Sequence, residues 1–317
     1  MQLTILDWVI CLGYLVLVLV LGLRFSRQQH TNEDYFVGNR RMHWFPIGLS
    51  IFAGTFSSLS FVGLPGAAAF KDYHLYLAIL CIPLVVMPIV GWLFLPLFHN
   101  MKVTSPYEYL ERRFDRPVRL LASALFMLYT IGWMGALLVA VGRILGVVLN
   151  LTDNELMLVL IAVGLIATFY TAMGGVKAVV WTDAIQAFAL GGGMLVILIL
   201  ALDRAGGWSR VHQIAVDHDK FAMFKMEIHS KENNFFAALV FGVFVYLAGH
   251  AFNFTAVQRY VSMPTLKDAR RSLWVNGIMV GVTCLIFFLV GTALFAFYTQ
   301  NNSEVMTQLE SAGKTDE

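Results

Sequence analysis

The stretch FPIGLSIFAGTFSSLSFVGLPGAAAF, residues 45–70, decides how the chain reads. At 1.5 Å per residue it is long enough to cross about 30 Å of hydrocarbon. Yet it carries Ser50, Thr55, Ser57, Ser58 and Ser60 together with Gly54, Gly63, Pro65 and Gly66. A few small residues would serve helix packing alone, but this density exceeds that need. Gly54-Thr55, followed ten residues later by Pro65, predicts an interrupted helix. Its freed carbonyls suit a cation, and its half-helix N-terminus suits an anionic group.

The rest of the chain supplies a membrane context for that stretch. Of 317 residues, 58% are hydrophobic and 13% are charged, half the charge of an ordinary soluble domain at about 25%. Mean hydropathy is +0.71. Lipid is the solvent that tolerates this much apolar surface, and a soluble globule is excluded. Eight apolar runs qualify as membrane passes: 5–23, 45–70, 75–98, 120–149, 156–173, 179–202, 235–254 and 273–298. The first follows MQLTILDW, with no basic n-region and no small-residue cleavage site behind it, so it reads as a retained helix.

Lys and Arg set the expected orientation. Alternate loops carry fourteen of the 22: Arg24, Arg27, Arg40 and Arg41, then Lys102, Arg112, Arg113, Arg116 and Arg119, then Lys177, and lastly Arg259, Lys267, Arg270 and Arg271. The opposite side carries seven, namely Lys71, five in residues 203–233 and Lys314, and Arg143 falls inside a run. The richer side is therefore read as cytoplasmic and both termini as outside, in a cell membrane such as the inner membrane of a bacterium. A net charge of +2 leaves no footprint for nucleic acid. The segment KVTSPYEYLERRFDRPVRL mixes Tyr and Leu with four arginines, which suits a short connector helix in the headgroup interface. Cys11, Cys81 and Cys284 all sit in apolar runs without metal-type spacing, so packing is their expected role.

Two further stretches carry polar chemistry at membrane depth. The seventh run, FGVFVYLAGHAFNFTAVQRY, repeats the irregularity with Gly249, His250, Asn253 and Thr255. A buried His is often satisfied by a neighbouring helix, yet an ionisable group in a span is also a site candidate. Two interrupted runs five helices apart point to an inverted-repeat transporter with its site at the midplane. The third stretch is YTAMGGVKAVVWTDAIQAF, where Gly174-Gly175 closes one run, and Asp183 and Gln186 share a face of the next. Asp183 either stabilises the positive end of its helix or offers a hard oxygen to sodium.

The sequence resembles the sodium:solute symporter family. DYFVGNR (34–40), the serine-rich second run, TSPYEYLERRF (104–114), GGVKAVVWTDAIQ (174–186) and VQRYVSMPTLKDARR (257–271) carry the resemblance across nearly the whole chain. Its serine-rich run and Asp183 string are most similar to the sialic-acid and the iodide or monocarboxylate branches. What the resemblance implies is an all-α membrane fold of the leucine-transporter type: one extra helix and a cytoplasmic loop (1–44), a first five-helix repeat (45–202) and two helices of a second repeat (235–298). The chain would then be an N-terminal fragment of a single transporter domain, residues 1–317. The family's shared sodium site takes carbonyls that match Ala53 and Phe56, while its hydroxyl half belongs to a later helix. By the same alignment Thr55, Ser57 and Ser60 match solute contacts, with His250 and Asn253 added at the second break. Asp183 matches a second sodium position. Two departures stand out: Trp133 replaces a carboxylate-pairing Arg, and Phe254 replaces the usual Gln.

The expected function is sodium-coupled symport of a small organic solute across the plasma membrane by alternating access, with Na+ as coupling ion. The alternative is a solute-sensing membrane module feeding a C-terminal signalling domain. Catalysis is not expected, because no nucleophile–base pair, HExxH or P-loop occurs.

Overall fold

The computed structural model describes residues 4–26, 31–101, 103, 105–223 and 235–301. In chain order the helices are α1 (Ile5–Ser26), α2 (Asn32–Val37), α3 (Trp44–Thr55), α4 (Ser58–Phe70), α5 (His74–Ile89), α6 (Leu95–Met101), α7 (Pro106–Arg113), α8 (Arg116–Leu149), α9 (Asp153–Arg204), α10 (Trp208–Asp217), α11 (Phe235–Ala251), α12 (Phe254–Val261) and α13 (Leu266–Asn301). No strand occurs among the described residues. Five helices or joined helices are long and apolar enough to cross a membrane, and up to seven qualify when each interrupted pair, α3 with α4 and α11 with α12, counts as one span.

The expected fifth and sixth passes lie in one element, α9, of 52 residues. At 1.5 Å per residue its two arms together amount to about 78 Å of helix, more than twice a hydrocarbon core. Its one non-helical residue is Gly175, at φ 56° and ψ −163°, a conformation essentially reserved for glycine. The break expected at Gly174-Gly175 is thus present, and helix resumes at once because no proline follows it.

The third run is also continuous, from α5 through a π-helical turn at Val90–Phe94 into α6. Pro83 and Pro88 lie inside α5. Each lacks an N–H, so the ladder shifts register just beyond the second proline. Pro65 likewise sits within α4 without ending it. The second run breaks instead at Phe56, which adopts an extended conformation at φ −99° and ψ 136°.

The chain divides into two compact units. The first comprises Met1–Leu59, Ile89–Gln186 and Gly249–Val275, and the second Ser60–Pro88, Ala187–Ala248 and Asn276–Glu317. Among the described residues, the twelve basic residues of the richer set fall in the first unit and the four of the poorer set in the second. The others, Arg27, Lys102, Lys225, Lys231 and Lys314, lie outside the described residues.

Within the first unit, α3 and α13 approach closely enough that a Cβ on Gly48 would lie 2.7 Å from the Val275 Cβ. The DYFVGNR motif forms α2 and the turn after it, capped by the Thr31 hydroxyl, which accepts from the Asp34 N–H, and closed by left-handed Gly38. From there Tyr35 donates to the Ala172 carbonyl at 2.9 Å, and the Phe36 carbonyl accepts from Gln258 at 2.7 Å. Lys177 reaches Asp34 at 3.5 Å, and the Met42 N–H donates to the Ser262 carbonyl at 3.0 Å. The connector expected to be helical is α7, started by the Ser105 cap and Pro106.

Within the second unit, α10 is an amphipathic helix in a stretch that reads as loop from the sequence. Its Val211, Ile214 and Ala215 pack with Ala201, Ala205, Ala293, Phe295 and Ala296. Lys220, just beyond it, is buried, donates to the Ala69 carbonyl at 2.8 Å and lies over the Phe295 ring at 4.0 Å. Cys284 is buried, Cys81 partly so and Cys11 exposed, all as free thiols.

Candidate functional site

The end of α3 gathers half of the predicted ion and solute residues, namely Ala53, Thr55, Phe56 and Ser57. A helix leaves its last four carbonyls without intrahelical donors, and its C-terminus carries the negative end of the dipole. Here those carbonyls belong to Phe52, Ala53, Gly54 and Thr55. The Thr55 hydroxyl satisfies the first by donating to the Phe52 carbonyl at 2.6 Å. Ala53, Thr55, Phe56 and Ser57 are all half-buried, and the extended backbone at Phe56 turns the chain before α4 begins. This oxygen-rich helix end can hold a hard monovalent cation. Ser60 stands in the first turn of α4, in the second unit.

One turn earlier on α3, fully buried Ser50 belongs to a triad that crosses three helices. Its hydroxyl donates to Asp183 Oδ2 of α9 at 2.5 Å and accepts from Arg259 Nε of α12 at 2.7 Å. Arg259 Nη2 closes the triangle, donating to Asp183 Oδ2 at 2.8 Å. The two charged side chains are only 14% and 16% exposed, so their attraction acts with little solvent screening. The guanidinium also lies against Gly54, where a Cβ would sit 3.4 Å from Arg259 Nη1, at van der Waals contact. One carboxylate oxygen of Asp183 is thus engaged by both Arg259 and Ser50. Gln186, one turn along α9, donates to the Tyr14 hydroxyl of α1 at 2.7 Å.

The second interruption, between α11 and α12, is built from local capping. Asn253 is the N-cap of α12, its Oδ1 accepting from the Thr255 N–H at 2.9 Å and from the Thr255 hydroxyl at 2.7 Å. His250 is buried, with Nδ1 3.0 Å from the Tyr260 hydroxyl. Phe254 stacks on Tyr107 of α7, with centroids 6.3 Å apart and planes 5° from parallel, and Phe126 joins them. An apolar ring at position 254 thus pins the connector helix. Burial in that cluster pushes the Tyr107 phenol up to about 12. Trp133, the other departure, is exposed on α8 and stacks on Tyr129.

These residues fall into groups. Ala53, Thr55, Phe56 and Ser57 share the end of α3, and Asp183 is tied to the same helix through Ser50. His250 and Asn253 flank the second break, and α12 packs on α3. Two cavities lie elsewhere, within the second unit. One of about 820 Å³ is lined by Phe70, Lys71, Asp72, His74 and Phe241 among others, and one of about 320 Å³ by apolar residues from Phe61 to Tyr298. No candidate residue lines either. Sequence reasoning misses Arg259 and Tyr260 as site partners. Both lie in the VQRY string, where Arg259 reads only as a loop charge.

Comparison with known proteins places this geometry. The sodium:solute symporter family matches residues 35–315. The sodium/sialic acid symporter SiaT of Proteus mirabilis (strain HI4320) is 34% identical over 97% of this chain and 62% of its own length. The human sodium/iodide cotransporter is 33% identical over 86% of this chain and 42% of its own length. A solved structure described as the substrate-bound outward-open state of a Na+-coupled sialic acid symporter with a novel Na+ site superposes with a TM-score of 0.87 at 32% identity. It covers 95% of this chain and 62% of that one. The chain thus spans about three fifths of the SiaT relative and less of the iodide one. With a match over most of its length and the fold shared with a sodium-coupled relative, the chain belongs to the sodium:solute symporter family.

Proposed function

We propose that this chain belongs to a sodium-coupled symporter for a small organic anion. The observation that carries the reading is the polar end of α3, where helix-end carbonyls and the hydroxyls of Thr55 and Ser57 lie at membrane depth in a helix that stops at Phe56. Sialic acid, iodide and monocarboxylates, for which the relatives are named, are all anions, which supports that solute class. In this reading Ala53 and Phe56 give sodium their carbonyl oxygens. Thr55, Ser57, Ser60, His250 and Asn253 face the solute. Asp183 serves a second sodium, which competes with Arg259 for the carboxylate.

The passes number eight, α9 supplying two of them on either side of Gly175. The N-terminus lies outside, residues 45–202 form the first repeat, and residues 235–298 open the second. Sodium at the end of α3 favours the outward-facing form, so solute binds better once the ion is in place, and the converse follows by linkage.

The test is uptake in proteoliposomes by the protein expressed from its complete reading frame. Accumulation of a labelled organic anion is expected with an inward sodium gradient. Equal uptake when choline replaces sodium would overturn the reading.

A further inference from the structure

Asn276 lies on the face of α13 that also presents Val280, Thr283 and Phe287, spaced so that all four share one side of the helix. Asn276, Val280 and Phe287 are 0% exposed and Thr283 is 2% exposed. Neither the amide oxygen nor the amide nitrogen of Asn276 has a hydrogen-bond partner among the described residues. A buried amide with no hydrogen bond is costly, and such groups are rare enough that each calls for a specific explanation.

The surroundings add a second observation. Next to Asn276 the helix packs against α5: a Cβ on Gly277 would lie 3.3 Å from Pro83 Cβ, and one on Gly281 would lie 3.1 Å from Leu80 Cδ2. In α5 the two prolines at 83 and 88 cannot donate, so the carbonyls of Ile79 and Leu84 lack their i+4 N–H. The helix beside Asn276 is therefore short of donors as well.

The chemistry narrows the partner. Both amide atoms are enclosed by this chain's own side chains, so the partner group must be small enough to sit among them. A cation would take only the amide oxygen, and a carboxylate only the amide nitrogen. A hydroxyl donates to the first and accepts from the second. We propose that Asn276 binds a hydroxyl group on the buried face of α13, that of an internal water or that of a transported solute. The solute alternative rests on the symport reading, and the water alternative does not.

The test is a high-resolution cryo-EM structure of the complete protein in lipid nanodiscs, with and without sodium and sialic acid or lactate as hydroxyl-bearing probes. It is paired with uptake by Asn276→Leu. Density for an oxygen within hydrogen-bond distance of both amide atoms before solute is added identifies water and supports the proposal. Density that appears only with the probe identifies the solute hydroxyl, and Asn276→Leu should then raise the half-saturating probe concentration about tenfold with half-saturating sodium unchanged. A dry Asn276, an amide bonded to a protein group, or density that follows sodium alone would overturn it. Should the wild-type protein show no sodium-driven uptake, the symport reading fails while the density before solute still decides the water site.

Discussion

Arg259 and Asp183 meet at 2.8 Å although 76 residues separate them, and Ser50 bonds to both. Joining α3, α9 and α12 through one carboxylate makes Asp183 both a structural tie and the proposed sodium ligand. The two roles respond differently to substitution. Asp183→Asn keeps shape and some hydrogen bonding while removing the charge. It should raise half-saturating sodium about ten- to a hundredfold, the effect of losing a charged interaction worth about 1.5–3 kcal/mol, and shift solute affinity far less. Sodium titration of uptake at fixed solute measures this, and an unchanged sodium dependence would leave Asp183 with the structural role alone.

Thr55→Ala, Ser57→Ala and Ser60→Ala test the solute assignment. Each lost hydrogen bond costs about 0.5–1.5 kcal/mol, so the half-saturating solute concentration should rise about two- to tenfold at matched surface expression. Unchanged kinetics in all three would return these residues to helix packing.

Tyr260→Phe removes the hydroxyl that meets His250 Nδ1. Losing a buried partner costs about 1–3 kcal/mol, so a lower midpoint of thermal unfolding in detergent is expected. If solute affinity falls together with stability, His250 acts in binding as well as in packing. A midpoint equal to wild type would show that the pair is not formed.

Gly175→Ala forces a Cβ onto a residue at φ 56° and ψ −163°. The expected cost is about 1–3 kcal/mol, visible as reduced thermal stability. An alanine variant as stable as wild type would mean that the α9 break lies elsewhere.

Sequence alone reveals the helical membrane character and both interruptions, because polar and glycine residues at membrane depth are conspicuous against lipid. The first break falls next to the expected Gly54-Thr55, but the part of Pro65 is less legible. Pro65 looks like a breaker but is carried inside α4, whereas Phe56, an ordinary apolar residue, is where the backbone leaves the helix. Asn253 reads from the sequence as a site residue, and the structure makes it the cap of α12 with a partner two residues away. The Asp183–Arg259 pair is not legible, because no spacing rule links residues on different helices and an arginine at a helix end also reads as a loop charge. Helix α10 is hidden for another reason: its apolar face is short and pairs with the ends of α9 and α13.

The turn after α2 has a mechanical consequence. Together with α2 it holds the Ala172 carbonyl and Lys177, through Tyr35 and Asp34 of that helix, on either side of Gly175, and the Gln258 and Ser262 positions of the α12 exit. A hinge whose two arms are stapled to the same short loop cannot flex by itself. Rotation at Gly175 would stretch bonds on both arms together, so cutting one of them should ease it. Tyr35→Phe, which cuts one staple, should therefore quicken turnover and backbone amide exchange around residues 170–178 at nearly constant half-saturating sodium and solute. Slower exchange there, or a change in affinity without one in rate, would contradict a stiffening role.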